Sequence, residues 1–471
     1  MVLPRADSTA TTRRPSSRAA TIRRAARFMR SASATDVPPN FITTVSAGAG
    51  AASDTALKDS FRALRRPNYG RRRLIAAIVV LVAAAGVVAG VKSLARDSRV
   101  KPPKTAATGP TGSVSKTSFL QRVVPAAKEI APDAPRSVSN LASRLPLERR
   151  VAQLFLVGFT GTGTNATVFS ELAQRDLGGI VFLADNYTGP RQLAALTAFA
   201  KRVARRHRRV PPWLFTIQDG GEFSELAGLP PADAPSAVSD VQRAAAEASQ
   251  AARSLHQLGI NGVLGPEADV DTDPGGPYTR IAFSNDPDQV AQFAAASARA
   301  YTRRHMFTAP KHFPGLGAAD NPTSDGSATV GLPLDALATR DLVPFKAALD
   351  AGSQGVLIGH GLYTSDNFAT PASQSTALMQ DLLRTNMRFD GVAVTDDLEA
   401  SAITDTQTVP NAAVASIEAG ADMVYISDPA DQEAAYQAVL NAAKSGQIPG
   451  SRLDAAVLHI LAAKEKLRLI S

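Results

Sequence analysis

Residues 355–396 contain GVLIGH (355–360), TALMQDLLRTNMRF (376–389) and GVAVTD (391–396), two short aliphatic runs on either side of a stretch with apolar positions at helical spacing. The pattern predicts a strand, a crossover helix and a second, parallel strand, a unit that turns right-handed. Working outward, the same alternation continues in both directions from about residue 137 to the end of the chain. Upstream strands are predicted at QLFLVGF (153–159), GGIVFL (178–183), WLFTIQ (213–218), GVLGP (262–266) and FTAPKHF (307–313), and one downstream at DMVYIS (422–427). Helical patterns at 191–206, 240–259 and 290–304 lie between them. Eight strands alternating with helices predict an α/β fold, a (β/α)8 TIM barrel, with a doubly wound open sheet as the alternative.

A barrel of this kind collects its working residues where the strands end. The predicted strand ends carry Gln218, Asp219 and Glu222, then Glu267 and Asp269, Lys311 and His312, His360, and finally Asp396 and Asp397. Any one of them could be structural. Five strand ends agreeing point to a single polar mouth.

The remaining sequence is of a different kind. The 471 residues include no cysteine, which excludes disulfide scaffolds, thiolate metal sites and cysteine nucleophiles. The net charge of +9 is concentrated at one end: residues 1–73 hold 15 Lys/Arg against four acids, and the other 398 residues hold 36 against 38. Residues 1–73 therefore read as a disordered basic tail, too polar to bury a core. LIAAIVVLVAAAGVVAGV (74–91) has no charged residue, and at 1.5 Å per residue its length of about 27 Å suits a bilayer. Arg71, Arg72 and Arg73 precede it, so it is expected to be a transmembrane signal anchor, single-pass in the cell membrane, with the N-terminus cytoplasmic and the rest extracytoplasmic. Residues 92–136, rich in Pro, Thr, Ser and Gly, read as a linker, leaving 137–471 for the barrel. Lipid is thus the partner of 74–91, and anionic inner-leaflet lipid suits the tail. A nucleic-acid partner is not expected of a nearly neutral domain.

The segment KHFPGLG (311–317) resembles the KHFPGHG signature of glycoside hydrolase family 3. LGGIVFLADN (177–186), LGINGVLGPEADV (258–270), GVAVTDDLEASAI (391–403) and IEAGADMVYI (417–426) are similar to further stretches of that family in order and spacing. The resemblance spans roughly residues 145–465 and is to the single-barrel bacterial β-N-acetylhexosaminidases, which act on cell-wall sugars. It implies the (β/α)8 barrel, a retaining two-step displacement and a glycan substrate, with peptidoglycan fragments among the candidates.

Under that resemblance Asp396 aligns with the nucleophile, which would form a covalent glycosyl intermediate. Asp397 competes with it, and alternation along a strand would send only one of the two inward. Lys311 and His312 resemble the pair that hydrogen-bonds sugar hydroxyls, and a cation there would keep a neighbouring nucleophile ionised. Their alternative reading is a buried ion pair and a satisfied core histidine. Asp269 and His360 fall where the family lines or backs its pocket.

Three departures bear on the chemistry. The family's acid/base histidine lies in an Asp-Ser-His element after KHFPGHG, where this chain has Ser327-Ala328-Thr329; the loop's only ionisable side chains are Asp320 and Asp325. Asp325 is the expected acid/base and Asp320 the alternative, provided burial raises the carboxyl toward neutrality. At the third strand, Ile217 stands in place of a sugar-binding acid, Asp219 follows, and Glu222 replaces an Arg; Arg280 lies one residue early in the element that follows the fourth. Asp219 and Arg280 are retained as substrate-binding candidates. No metal-ligand cluster is apparent in the sequence and no cofactor is expected. A catalytically silent barrel that binds glycan or a partner is the reading of a different class.

Overall fold

The structure is a computed structural model and describes residues 134–366 and 370–470. The predicted tail, the predicted anchor at 74–91 and nearly all of the linker fall outside the described residues.

Eight parallel strands form one sheet: β1 (Phe155–Val157), β2 (Gly179–Phe182), β3 (Trp213–Thr216), β4 (Gly262–Val263), β5 (Phe307–Thr308), β6 (Gly355–Ile358), β7 (Val392–Asp397) and β8 (Met423–Ile426). Their order is β5-β4-β3-β2-β1-β8-β7-β6, so neighbours in sequence are neighbours in space and only β5 and β6 lie at edges. Those edges are joined by the chain just past β5. Leu357 N donates to Pro310 O (3.0 Å), Phe313 N to Leu357 O (2.8 Å) and Gly359 N to Phe313 O (3.0 Å), which closes the ring. The barrel expected from the alternation is the observed fold, and all eight predicted strands are present.

Three of the long outer helices start from a side-chain cap. Asp240 accepts from Arg243 N (2.8 Å) to begin Val241–Gln257. Asp286 accepts from Asp288 N (3.0 Å) ahead of Pro287 at the start of Pro287–Thr302. Asp428 accepts from Ala430 N (2.9 Å) ahead of Pro429 at the start of Pro429–Ser445. Side-chain caps of this kind satisfy N–H groups that have no intrahelical partner. The stretch predicted as a helix at 376–389 is wound as a π-helix over Ala377–Asn386.

The barrel interior is filled by aromatic side chains set over glycines. Phe307 packs against Trp213 (4.7 Å between ring centres) and Phe215 (5.2 Å). A Cβ on Gly355 would come within 2.2 Å of Phe307 Cζ, and one on Gly262 within 2.5 Å of Phe215 Cε1. The glycine that opens these strands is therefore a packing requirement, small against large.

The last helix, Gly450–Lys466, runs across the end of the barrel where the strands begin. Arg452 Nη2 donates to Asp422 Oδ1 (2.5 Å) just ahead of β8, and Lys464 Nζ donates to Gln153 Oε1 (2.8 Å) just ahead of β1. Lys464 is fully buried, with its ammonium 5.0 Å from the centre of the Trp213 ring, and burial pushes its pKa down to about 7. Ser137 Oγ donates to Glu465 Oε1 (2.5 Å), so the chain enters the domain at this same end.

Candidate active site

The opposite end holds the residues singled out at the strand ends. The ladder of β7 on β8 pairs Val394 with Met423 but Asp397 with Tyr425, three steps on one strand against two on the other. This bulge re-aims the side chains around Asp396, so simple alternation does not decide between the two aspartates. Their contacts do. Asp397 Oδ1 accepts from Ser427 N (3.1 Å) and Glu399 N (3.2 Å), and so ties β7 to the end of β8. The Asp396 side chain keeps 22% of its surface exposed and places Oδ2 3.8 Å from His312 Nε2.

His312 joins two carboxylates. Its Nδ1 donates to Asp269 Oδ2 (2.8 Å), while Asp269 Oδ1 accepts from Leu316 N (2.7 Å) and His312 N (3.3 Å). Asp269 is fully buried, so it orients the imidazole and does not face the open pocket. Burial alone would lower the His312 pKa; Asp269, Asp396 and Glu267 outweigh it and raise it to about 9. His312 is an imidazolium at neutral pH, and its Nε2–H faces Asp396.

Lys311 Nζ donates to Asp219 Oδ2 (2.5 Å), with side chains 5% and 4% exposed. Burial works against the ammonium, but Asp219 and Glu267 more than offset it and hold Lys311 charged above the usual lysine range. Of the two readings available from sequence, the buried ion pair is the observed state of both Lys311 and Asp219. Glu267 is sealed in beside them; burial first, then Asp269, push its carboxyl well above the usual range. Oxygen and nitrogen atoms of Glu267, Asp269 and His312 lie within 4.8 Å of one another, which is the spacing of a cation site. The sequence reading did not pick out this cluster; in the structure His312 Nδ1 is hydrogen-bonded to Asp269 Oδ2.

His360 is 1% exposed. Its Nε2 donates to Asp397 O (2.9 Å) and its Nδ1 lies 2.8 Å from Ser373 Oγ, while burial lowers its pKa. A neutral His360 protonated at Nε2 therefore supports the end of β7 from behind. Arg280 is exposed and paired with Glu222, with its guanidinium 5.9 Å from the centre of the Phe223 ring.

The loop after KHFPGLG folds back as a small hairpin, Ala319 opposite Val330, and Val330 N donates to Leu362 O (2.8 Å). Asp320 and Asp325 are both exposed on it. Asp320 Oδ1 accepts from Thr329 N (2.7 Å) and Asp325 Oδ1 from Ser324 Oγ (2.9 Å), contacts internal to the loop. The burial required of either as proton donor is missing.

Two groups escaped the sequence reading. Tyr278, 7% exposed, has its ring 6.3 Å from that of His312 and packs over the imidazole. Glu399 lies three residues past Asp396; burial first, then Asp431, Asp397 and Asp428, raise its pKa to about 7. Its nearness to three other acids comes from the folding together of the turns after β7 and β8, which no single motif announces.

Comparison with known proteins identifies the family. The chain is 31% identical over 296 residues to a protein named β-hexosaminidase from Stenotrophomonas maltophilia, covering 61% of this chain and 87% of that one. A solved glycoside hydrolase family 3 β-N-acetylglucosaminidase from Paenibacillus superposes with a TM-score of 0.66 at 30% identity, over 69% of this chain and 63% of that one. A β-N-acetylhexosaminidase structure from Beutenbergia cavernae superposes with a TM-score of 0.63 at 28% identity, over 68% of this chain and 99% of that one. Residues 146–463 match the glycosyl hydrolase family 3 N-terminal domain, and with the barrel and the Asp396–His312 site in place the chain belongs to that family and is a glycosidase.

Proposed function

We propose that the barrel is a retaining β-N-acetylhexosaminidase that works through a glycosyl–Asp396 ester. The observation that carries this reading is Asp396 at the bulged end of β7, partly exposed and 3.8 Å from the charged His312. Asp396 Oδ attacks the anomeric carbon, the glycosidic C–O bond breaks, and the departing oxygen takes a proton. Water then attacks the same carbon, loses its proton to the conjugate base of the donor, and releases Asp396. His312 supplies fixed positive charge beside the nucleophile in both steps. Glu399 is assigned as the proton donor over Asp325 and Asp320, since it holds a proton near neutral pH and stands next to the strand that carries the nucleophile.

N-acetylhexosamine as the sugar is supported by the relatives' names, and cell-wall fragments by the location read from sequence. Among the described residues no helix is long and apolar enough to cross a membrane, so the proposed anchorage and extracytoplasmic placement rest on 74–91 alone.

The test is trapping with a 2-fluoro or 5-fluoro glycosyl fluoride followed by peptide mapping, alongside nitrophenyl N-acetylhexosaminide hydrolysis. Label on the peptide containing Asp396, and loss of turnover in Asp396→Asn, are expected. Hydrolysis unaffected by Asp396→Asn refutes the assignment. Glycan binding with no turnover in either protein favours the silent barrel, a reading for which the exposed positions of Asp320 and Asp325 are the supporting observation.

A further inference from the structure

Helices in a barrel run back toward the strand starts, so their C-terminal ends collect on the face opposite the active site. Three neighbouring ends carry cations in this chain: KRVARRHRR (201–209) ahead of β3, Arg253 and His256 ahead of β4, and RRH (303–305) ahead of β5. Apart from the half-buried Arg209, all of these cations are exposed, and the segments contain no acid. The cations form a continuous surface. Lys201, Arg205, Arg208 and Arg209 line one concavity of about 510 Å³ with Arg468 of the C-terminal turn, and Arg253, His256 and 303–305 line another of about 420 Å³. His256 lies between them; burial first, then Lys201, Arg304 and His305, lower its pKa.

Elsewhere, exposed arginines and lysines are scattered, some paired as Arg243 is with Asp233 and Lys346 with Asp350, others such as Arg191, Arg299 and Arg388 single, so it is the clustering of cations that sets this face apart. Among the described residues, none of the cations on the basic face forms an ion pair. Unpaired like charge held on three adjacent helix ends is suited to an extended anionic surface, since a small anion would use only a fraction of it. The chain enters the domain on this same side, where Ser137 meets Glu465, and the apolar run ends 45 residues before Ser137, at Val91.

We propose that this basic face docks on anionic lipid headgroups, which turns the mouth of the barrel away from the bilayer. The partner class rests on the anchorage proposed above; the surface itself does not. Each cation near an anionic membrane contributes on the order of 1 kcal/mol, and several together give reversible, salt-sensitive attachment.

The test uses residues 134–471, a unit that relatives of barrel size show to be self-sufficient. Co-sedimentation is measured with phosphatidylcholine vesicles with and without phosphatidylglycerol, at low and high salt. Binding only to the anionic vesicles, weakened by salt, is expected. Arg205→Glu with Arg304→Glu should lower it by at least about tenfold, while Arg191→Glu with Arg243→Glu, of equal net charge at the opposite helix ends, should lower it far less. Thermal unfolding confirms that both pairs fold. Absence of binding to anionic vesicles, equal loss from the two pairs, or binding to soluble polyphosphate but not to vesicles overturns the proposal. None of these readouts uses Asp396, so failure of the glycosidase mechanism leaves them intact, and membrane fractionation of the full chain lacking 74–91 tests the anchor separately.

Discussion

Replacing Asp269 by Asn tests the central claim about the site, that a buried carboxylate holds His312 charged. Asp269 is fully buried and accepts three hydrogen bonds, two of them from His312. Asn keeps the shape and an acceptor but removes the charge that raises His312 from 6.5 to about 9. That rise corresponds to about 3 kcal/mol. A histidine whose pKa is higher folded than unfolded stabilises the fold fully below 6.5, and the contribution disappears as pH rises through about 9. In Asp269→Asn, burial is left to dominate and His312 becomes neutral at pH 7. Urea unfolding of both proteins at pH 6 and at pH 9.5 isolates the effect, because groups common to both cancel in the difference. The cost of the substitution should be larger at pH 6 than at pH 9.5, by up to about 3 kcal/mol. Imidazole NMR should move the His312 titration from about 9 to below 6.5, and kcat should fall at neutral pH with the loss of positive charge beside Asp396. A stability difference that is the same at both pH values, or a His312 titration that stays in place, refutes the reasoning.

Two further outcomes follow from protonation states. Glu399→Gln should slow turnover of substrates with poor leaving groups by about 100-fold or more, spare dinitrophenyl glycosides, and abolish the decline in kcat above about pH 7 that the wild type shows. Lys464→Met should be more stable than the wild type at pH 7; the buried lysine has a folded pKa of about 7 against 10.5 unfolded, so it destabilises the fold below 10.5, and the variant's advantage should shrink on titration from pH 7 to 10.5 in guanidinium melts.

The fold was legible because each strand is a short run bounded by glycine or polar residues. Gly262 and Gly355 look like punctuation in the sequence and prove to be the floor on which Phe215 and Phe307 rest. The site was legible only in part. Lys311, His312, Asp269 and Asp396 come together as the strand-end rule predicts, but the bulge that aims Asp396 depends on how β8 pairs with β7, which local sequence does not encode. The proton on Glu399 arises from Asp428 and Asp431, on a different turn, and so has no signature near residue 399. Arg280, a pocket candidate by position, is exposed and paired with Glu222, a partner on the loop after β3 that no local motif announces. The helix Gly450–Lys466 had no place in the sequence reading; its Arg452, His459 and Lys464 are buried, each with a partner at the strand starts.

The ring is shut by the same few residues that carry its chemistry. Seven of the eight strand junctions are parallel ladders, whereas the eighth is made by Pro310–Phe313 reaching across to β6, and Lys311 and His312 lie inside that reach. A fluctuation that parts this seam separates His312 from Asp396 on β7, while the other seven junctions and the Lys311–Asp219 pair on the β3–β5 side stay intact. The joint that closes the architecture is thus also its working edge, and the cohesion of the barrel and the competence of the pocket are locally the same quantity.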